Sequence, residues 1–526
     1  MSKQVFVIVG ASLAGAKAAE ALRENGFEGR VVLVGAEPQR PYLRPPLSKE
    51  YLRGAAGLEK VYVHDESFYE DHAIELRTST TVERVEPASS EVVLGGGERL
   101  RFDRLLLSTG AQPRRLSIPG SELDEIYYLR SLPDSERLGE RLRRGGRLVV
   151  VGAGWIGCEV AASARQMGLE VTVIDPGSVP LEHVLGVEAG AIYQEIHTDH
   201  RVTMLPDTRV ESFEGAGAVQ RVRTAGGRAI ECDFVVVGVG ATPNTQLASG
   251  TRIEVNNGIV CDEFLQTAVE GVFAAGDVAN ARHPLCGPLR VEHWANALHQ
   301  GPVAARNMLG GGDPSDRVLD HPVAYDRTPY FYSDQYDVGM EYTGHATDWD
   351  EVVFRGDVKG REFIAFWLKE QRILAGMNVN VWDVPAQIQA LIRSRLRVDR
   401  DRLADPDTPL TELAPDLQPR EPQTPAGAVA WAGDKAGAGK AGEQPAASPS
   451  RWSRSRAQVE VEDVVSALRG AGVLTHERLV EVCGAAHWSD HGFKRALDKA
   501  VSSGRVRRLG DDLYEAAEPA PSLRTA

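Results

Sequence analysis

The chain is 526 residues long, 42% hydrophobic and 25% charged, which leaves room for several domains around a large core and excludes a chain that is disordered throughout. A formal net charge of -15 and a pI near 5.5 exclude bulk electrostatic attraction to nucleic acid or to an anionic membrane, leaving only a local basic patch as a route to either. No apolar run reaches the length of a membrane span, and the five cysteines (Cys158, Cys232, Cys261, Cys286 and Cys483) show neither metal-ligand nor disulfide-framework spacing, so a reducing cytoplasm is expected.

The first strand begins almost at Met1, and no signal peptide is expected before it. From Val5 to Glu37 the chain reads as strand, glycine turn, helix, second strand and terminal acid, the pattern of a dinucleotide-binding βαβ unit. The run Val5 to Val9 suits a strand buried on both faces. Gly10 and Gly15 allow a sharp turn and a helix packed close to the sheet, which leaves the helix N-terminus for a pyrophosphate. Ser12 stands where the usual pattern has its middle glycine, and Glu37, 22 residues past Gly15, is placed to meet an adenosine ribose. A lone fingerprint of this kind is weak evidence.

A proline-studded loop follows, ending in a short helix and carrying Arg44 and Lys49. Strands are expected over Ala73 to Thr81, Thr81 to Leu94 and Arg101 to Ser108, with a turn at Gly95, Gly96 and Gly97. Arg147 to Asp175 then repeats the βαβ grammar with all three glycines, Gly152, Gly154 and Gly157, and an acid 18 residues beyond the last. Two such units imply two dinucleotides. Asp175 favours NADH over NADPH, because a carboxylate bonds ribose hydroxyls and repels a 2′-phosphate, and no arginine follows it to receive that phosphate. Beyond this come a buried strand from Phe234 to Gly240, a hairpin from Ile253 to Phe264, a buried strand from Val272 that closes on Asp277, and a helix from Trp294 to Leu309. Strands at Glu351 to Gly356, Phe363 to Lys369 and Ile373 to Val381 precede a helix from Ala386 to Arg395.

The motifs GASLAG, RPPLSKEYL, STGAQPRRLSIPG, VGAGWIGCE, GVGATPN, VFAAGDVAN, RVEHWANALHQG and YFYSDQYDVG stand in an order and spacing that resembles the FAD-dependent NADH:ferredoxin reductases of bacterial oxygenase systems, up to about Leu413. That resemblance implies an α/β fold with two Rossmann-like domains: a discontinuous FAD domain (1–110 and 239–325) and an inserted NAD domain (111–238). An α+β C-terminal reductase domain (326–414) completes it, open to a role in dimerisation and packing or in partner docking.

For FAD the expected contacts are Gly10, Ser12, Ala14, Gly15 and Glu37, with Arg44 and Lys49 near the flavin end. The resemblance adds Val82, Arg130, Asp277 on the ribityl chain and Trp294 beside the isoalloxazine, a position that as a lone tryptophan would default to core. For NADH the set is Gly152, Gly154, Trp155, Ile156, Gly157, Glu159, Asp175, Gly238 and Gly240. The resemblance also pairs Glu159 with Lys49 beside the flavin, which makes Lys49, Glu159 and Trp294 the catalytic candidates. No redox cysteine lies near the RPPLSK motif, and Cys158 reads as a packed small residue, so electrons must leave for an outside acceptor.

That acceptor is expected to be a ferredoxin-type iron-sulfur protein, of the kind that is usually acidic. Arg137, Arg141, Arg143 and Arg144, or Arg393, Arg395 and Arg397, are the candidate basic surfaces. The protein itself is expected to be a monomer or homodimer. Residues 415–455, rich in Pro, Ala and Gly, read as a flexible linker. Beyond it 456–517 resembles a winged-helix module, with helices at Val461 to Leu468, Thr475 to Cys483 and Asp490 to Ser502 and a hairpin from Arg505 to Tyr514, before a disordered tail at 518–526. Alternative readings are an NADH oxidase or a redox sensor similar to apoptosis-inducing factor, and a nucleic-acid or protein-interaction factor acting through the tail. The 12 Lys or Arg against 11 Asp or Glu after residue 450 weigh against nucleic acid.

Overall fold

The computed structural model describes residues 4–310 and 322–413, and farther on only 474–475, 497, 500–501, 506–508 and 513–516. These fall into two compact units: the described residues up to 353 together with 365–377, and residues 354–364 together with those described from 378 onward.

In the first unit the strand Val5–Val9, fully apolar and almost entirely buried, sits at the centre of a five-stranded parallel sheet. Arg30–Val34 and Ile74–Arg77 lie on one side of it, Arg104–Leu107 and Val272–Ala274 on the other. Arg147–Val151 is central to a second five-stranded parallel sheet with Glu170–Ile174 and Thr203–Leu205 on one side and Phe234–Val237 and Ile126–Tyr127 on the other. Each central strand runs through a glycine turn into a helix, Leu13–Glu24 or Trp155–Gln166, and therefore delivers its turn at the carboxyl end of the sheet, where ligands bind in such folds.

The chain crosses between the two sheets twice, and the crossings are joined. Ala111–Pro113 pairs antiparallel with Ala241–Pro243, and Asn244 bonds back to Gly110 through its backbone and to Thr109 through its side-chain amide. The helix Trp294–Leu309 packs on Leu13–Glu24 at a point only glycine permits, since a Cβ on Gly301 would meet the Ala14 carbonyl oxygen at 2.3 Å. This contact holds the start of the later helix beside the first glycine turn. Tyr330–Gln335 and Val338–Gly344 form an antiparallel hairpin turning at Tyr336, whose φ is 58°.

Two expectations for the first unit need correction. The stretch from Thr81 to Leu94 is not one strand but Val82–Glu86 and Glu91–Leu94, paired as a hairpin and extended by Arg99–Arg101 across the glycine turn. Ile253 to Phe264 is not a hairpin: a single antiparallel bridge joins Val255 to Ile259, and Ile259–Cys261 instead pairs in parallel with Ala279–His283. The hairpin lies later, where Ala279–His283 turns back onto Gly287–Leu289.

In the second unit Arg355 organises the chain around it, its guanidinium donating to the carbonyls of Leu403, Asp405, Pro406 and Thr408. Helices occupy Pro385–Ser394 and Arg400–Ala404. In the tail Val506–Arg508 and Leu513–Ala516 pair antiparallel, as the expected hairpin requires, and Leu474–Thr475 adds a third strand. Thr475, expected to open a helix, is therefore extended. The linker at 415–455, the tail at 518–526 and the helix at Val461 to Leu468 lie outside the described residues, as does all but Thr475 of the helix from Thr475 to Cys483. Of the last expected helix only 497, 500 and 501 are described, and these are helical.

Candidate functional site

Both glycine turns are built so that no side chain could replace them. Gly10 has φ +120°, and a Cβ there would meet the Ser108 carbonyl oxygen at 2.1 Å, while a Cβ on Gly15 would meet the Gly10 carbonyl at 2.0 Å. The second βαβ unit repeats this: a Cβ on Gly152 (φ +102°) would lie 2.4 Å from the Gly238 carbonyl oxygen, and one on Gly157 1.9 Å from that of Gly152. Gly154 differs, with open space where a side chain would be, which leaves the backbone accessible to a ligand. Ser12 and Gly154 are the N-caps of the two helices, and neither offers a side-chain cap, so the first-turn N–H groups keep their capacity for phosphate oxygens.

A cavity of about 1060 Å³ runs from one turn to the other. Its lining includes Gly10, Ser12, Ala14, Glu37, Arg44, Lys49, Val82, Arg130, Asp277 and Trp294 from the expected flavin set, and Gly154, Trp155, Ile156, Glu159, Gly238 and Gly240 from the nicotinamide set. Gly15, Gly152, Gly157 and Asp175 do not line it: the three glycines act behind the surface, as spacers. Asp175 is turned to its own backbone, accepting from the N–H of Ala153 at 2.6 Å and of Gly177 at 2.7 Å.

At one end Glu37 accepts from the Tyr42 hydroxyl and, at 3.0 Å, from Arg44 Nη2. Burial pushes the Tyr42 phenol up to about 12, so it remains a donor. Arg44, expected near the flavin end, is thus tied to Glu37 and to the Arg130 carbonyl (2.5 Å), because the loop from Pro38 folds back on the acid that precedes it. Arg130 Nη2 in turn donates to Asp277 at 2.5 Å, while its Nε is buried with no partner among the described residues. An unpartnered buried donor on a cavity wall is what a bound acceptor would satisfy.

Between the two βαβ units Lys49 Nζ lies 2.9 Å from Glu159 Oε1, with side chains only 7% and 5% exposed. Ser48 Oγ donates to Glu159 Oε2 at 2.5 Å and Ser333 Oγ to Oε1 at 2.7 Å, so the carboxylate is held on both oxygens. Lys49 also lies 5.6 Å over the Tyr332 ring, which meets Trp294 edge-on at 6.2 Å. Ser48, Tyr42, Tyr332 and His293, all on the cavity wall, were missing from the sequence-derived set. The first lies inside RPPLSK and the third inside YFYSDQ, so the motifs themselves were the available signal. His293 Nδ1 and Trp155 Nε1 are buried without partners among the described residues, a second sign that the cavity is shaped for polar ligand atoms.

None of the four described cysteines lines this cavity. Cys158 is fully buried with its Sγ 3.5 Å from the Ala153 carbonyl, and burial pushes its thiol well above the usual range. One candidate docking cation also fails: Arg141 is buried, donating to Glu125, to the Gly145 carbonyl and to the Asp233 carbonyl while its guanidinium sits 4.0 Å from the Phe234 ring. Arg137, Arg143 and Arg144 are exposed, as are Arg395 and Arg397, and Arg393 is partly so.

Residues 4–301 match the family described as pyridine nucleotide-disulphide oxidoreductase, and residues 330–414 match the reductase C-terminal domain. Putidaredoxin reductase of Pseudomonas putida is 35% identical over 414 residues, covering 77% of this chain and 96% of that protein. The ferredoxin--NAD(+) reductase component of the anthranilate 1,2-dioxygenase system of Burkholderia cepacia is 37% identical over 411 residues, covering 77% of this chain and 98% of its own. Among solved structures, the reductase in the covalent putidaredoxin reductase-putidaredoxin complex superposes with a TM-score of 0.73 at 33% identity, over 78% of this chain and 98% of that one. A glycine-turn pair around one cavity, a buried Lys–Glu pair between them, and relatives matched over nearly their full length lead to one conclusion: the chain belongs to the pyridine nucleotide-disulphide oxidoreductase family, among the ferredoxin--NAD(+) reductases that carry the reductase C-terminal domain.

Proposed function

We propose that this protein is an FAD-dependent NADH:ferredoxin reductase serving an oxygenase system. The bound cofactors supply the redox chemistry, hydride transfer from NADH to FAD and then single-electron transfer to a ferredoxin-type iron-sulfur protein. The observation that carries the reading is the Lys49–Glu159 pair, one partner from the loop after the first βαβ unit and the other from the helix of the second, buried on the wall of a cavity that both units share.

The chain's residues divide the work. The amides at the start of Leu13–Glu24 bind the FAD pyrophosphate, Glu37 with Arg44 and Tyr42 the adenosine end, and Arg130 with Asp277 the ribityl region. Trp294 and Tyr332 wall the flavin ring and exclude water, and Lys49, oriented by Glu159, fixes the nicotinamide face. Asp175 selects NADH. Residues 1–110 and 239–325 form the FAD domain, 111–238 the NAD domain and 326–414 the reductase domain. The joined crossings at Ala111–Pro113 and Ala241–Pro243 support that division. The tail is a winged-helix-like accessory module, and the protein works in the cytoplasm.

The test is anaerobic titration of FAD-loaded protein with NADH, followed by mixing with a panel of oxidised ferredoxins. Bleaching of the flavin at one equivalent and its fast reoxidation by at least one ferredoxin is the expected result. Reoxidation by air as fast as by every ferredoxin would instead assign an oxidase.

A further inference from the structure

We propose that Ser333, Gln335, His197 and Tyr336 form a directed hydrogen-bond relay that holds Glu159 in place against Lys49, making these four positioning residues for flavin reduction. The proposal rests on the role assigned above to the Lys49–Glu159 pair.

The direction of each link follows from the one before. Glu159 Oε1 is an acceptor, so the Ser333 hydroxyl spends its proton there, at 2.7 Å. Ser333 Oγ can then only accept from its other neighbour, Gln335 Nε2, at 3.3 Å. That orients the Gln335 amide with Oε1 toward His197 Nε2 at 2.9 Å, and an amide oxygen facing a ring nitrogen requires the proton on Nε2. His197 Nδ1 is left with a lone pair, which the Tyr336 hydroxyl meets at 3.0 Å. Every link donates toward Glu159.

Burial makes this arrangement informative. Ser333 and Gln335 are 1% exposed and His197 is 0% exposed. Such groups cost stability unless paired, and apolar residues of similar shape would fill the space at no loss, so a satisfied polar chain ending at a functional carboxylate has a use beyond packing. Burial also pushes the His197 imidazole down to about 4, so it stays neutral and the link order does not change near neutral pH. The Gln335 amide in the middle cannot hand a proton along, which makes the relay a brace rather than a conductor. It reaches from the helix Glu182–Asp199 to the turn of the hairpin at Tyr336, where His200 stacks on the Tyr336 ring at 3.6 Å.

The experiment uses FAD-loaded full-length protein and two readouts. Stopped-flow reduction by NADH should slow about tenfold in Ser333→Ala, the loss of one hydrogen bond to a charged group, and by less in Tyr336→Phe, which removes only the outermost hydroxyl. In a Glu159→Gln background neither substitution should slow reduction further, whereas a purely structural role would give the same loss in both backgrounds. Side-chain nitrogen NMR with labelled histidine, the His197 signal assigned by its absence in His197→Gln, should show the neutral Nε2–H tautomer, and Ser333→Ala should move that signal although Ser333 does not touch His197. A His197 protonated on Nδ1, wild-type reduction rates in both variants, or equal losses with and without Glu159 would each overturn the relay. Wild-type protein that takes no hydride from NADH would overturn the functional reading instead, and the tautomer measurement would still test the relay.

Discussion

Replacing Lys49 by methionine removes one charge from a pair 2.9 Å apart whose side chains are 7% and 5% exposed. At an effective dielectric of about 20, unit charges at that separation attract by roughly 6 kcal/mol, much of which is spent on desolvating the two groups. What the substitution exposes is the other side of that balance: Glu159 stays buried with, among the described residues, only the Ser48 and Ser333 hydroxyls as donors. Breaking a buried pair costs about 3–5 kcal/mol, and the two retained hydroxyls place this case near the lower end. Lys49→Met together with Glu159→Gln removes both charges and should return stability to within about 1 kcal/mol of the parent, since neutral replacement of a buried pair is close to free. Guanidinium unfolding followed by flavin fluorescence measures both proteins, and stopped-flow reduction by NADH measures their chemistry. Stability should recover in the double variant while reduction stays slow. If the single and double variants lose equal stability, the pair lacks the electrostatic role argued for it, and if Lys49→Met reduces its flavin at the parent rate, it lacks the chemical one.

Asp175→Ala should weaken NADH by about 1–3 kcal/mol, and Asp175→Asn by less, because its side-chain oxygen can still receive one of the two backbone amides of Ala153 and Gly177; the check is KM for NADH and NADPH, and a parent protein that prefers NADPH would contradict the assignment. His197, His293 and His299 are all pushed down to about 4 by burial, against an unfolded value near 6.5. Their folded values are depressed, so between these limits the unfolded chain binds more protons: their contribution is fully present above pH 6.5 and is lost as pH falls toward 4, at up to about 1.4 kcal/mol per pH unit for each. Melting temperatures across that range should fall on acidification, less steeply in His299→Gln. A chain ending at Leu417 should bind FAD and reduce ferricyanide at close to the full-length rate, because the cofactor cavity is lined entirely by residues up to Thr347; purification without flavin would count against this.

What could be read from the sequence was what the backbone itself demands. The two glycine turns impose steric requirements local to a few residues, and the runs Val5–Val9 and Trp294–Leu309 carry their own periodicity, so both appear where expected. Pairings set by distant partners were harder. Ile259–Cys261 was read as half of a local hairpin because its parallel partner, Ala279–His283, lies some twenty residues on. Arg141 was read as a surface cation because it sits in a basic run, yet it lies three residues after Leu138 and beside Leu142, on the buried face of its helix. The Lys49–Glu159 contact rested on family resemblance alone, and of the links from Ser333 to His197 only Ser333–Gln335 is local, two residues apart on one strand, while the bonds to Glu159 and His197 join residues that only the packed fold brings together.

The stitched crossings have an evolutionary consequence. Residues 114–240 leave and re-enter through neighbouring strands, Ala111–Pro113 and Ala241–Pro243, whose ends are hydrogen-bonded side by side. A segment whose two ends already touch can be excised or swapped without stretching the fold that hosts it, since adjacent antiparallel strands lie only about 5 Å apart. Under the domain division proposed above, recombination at these two short strands would transplant a nicotinamide preference as a single cassette. The other glycine turn, its helix and the Trp294 helix would remain untouched, and a donor cassette would need to match the host at the paired strands, at the carboxylate that meets Lys49, at Arg130 against Asp277, and at His197 against Gln335 and Tyr336.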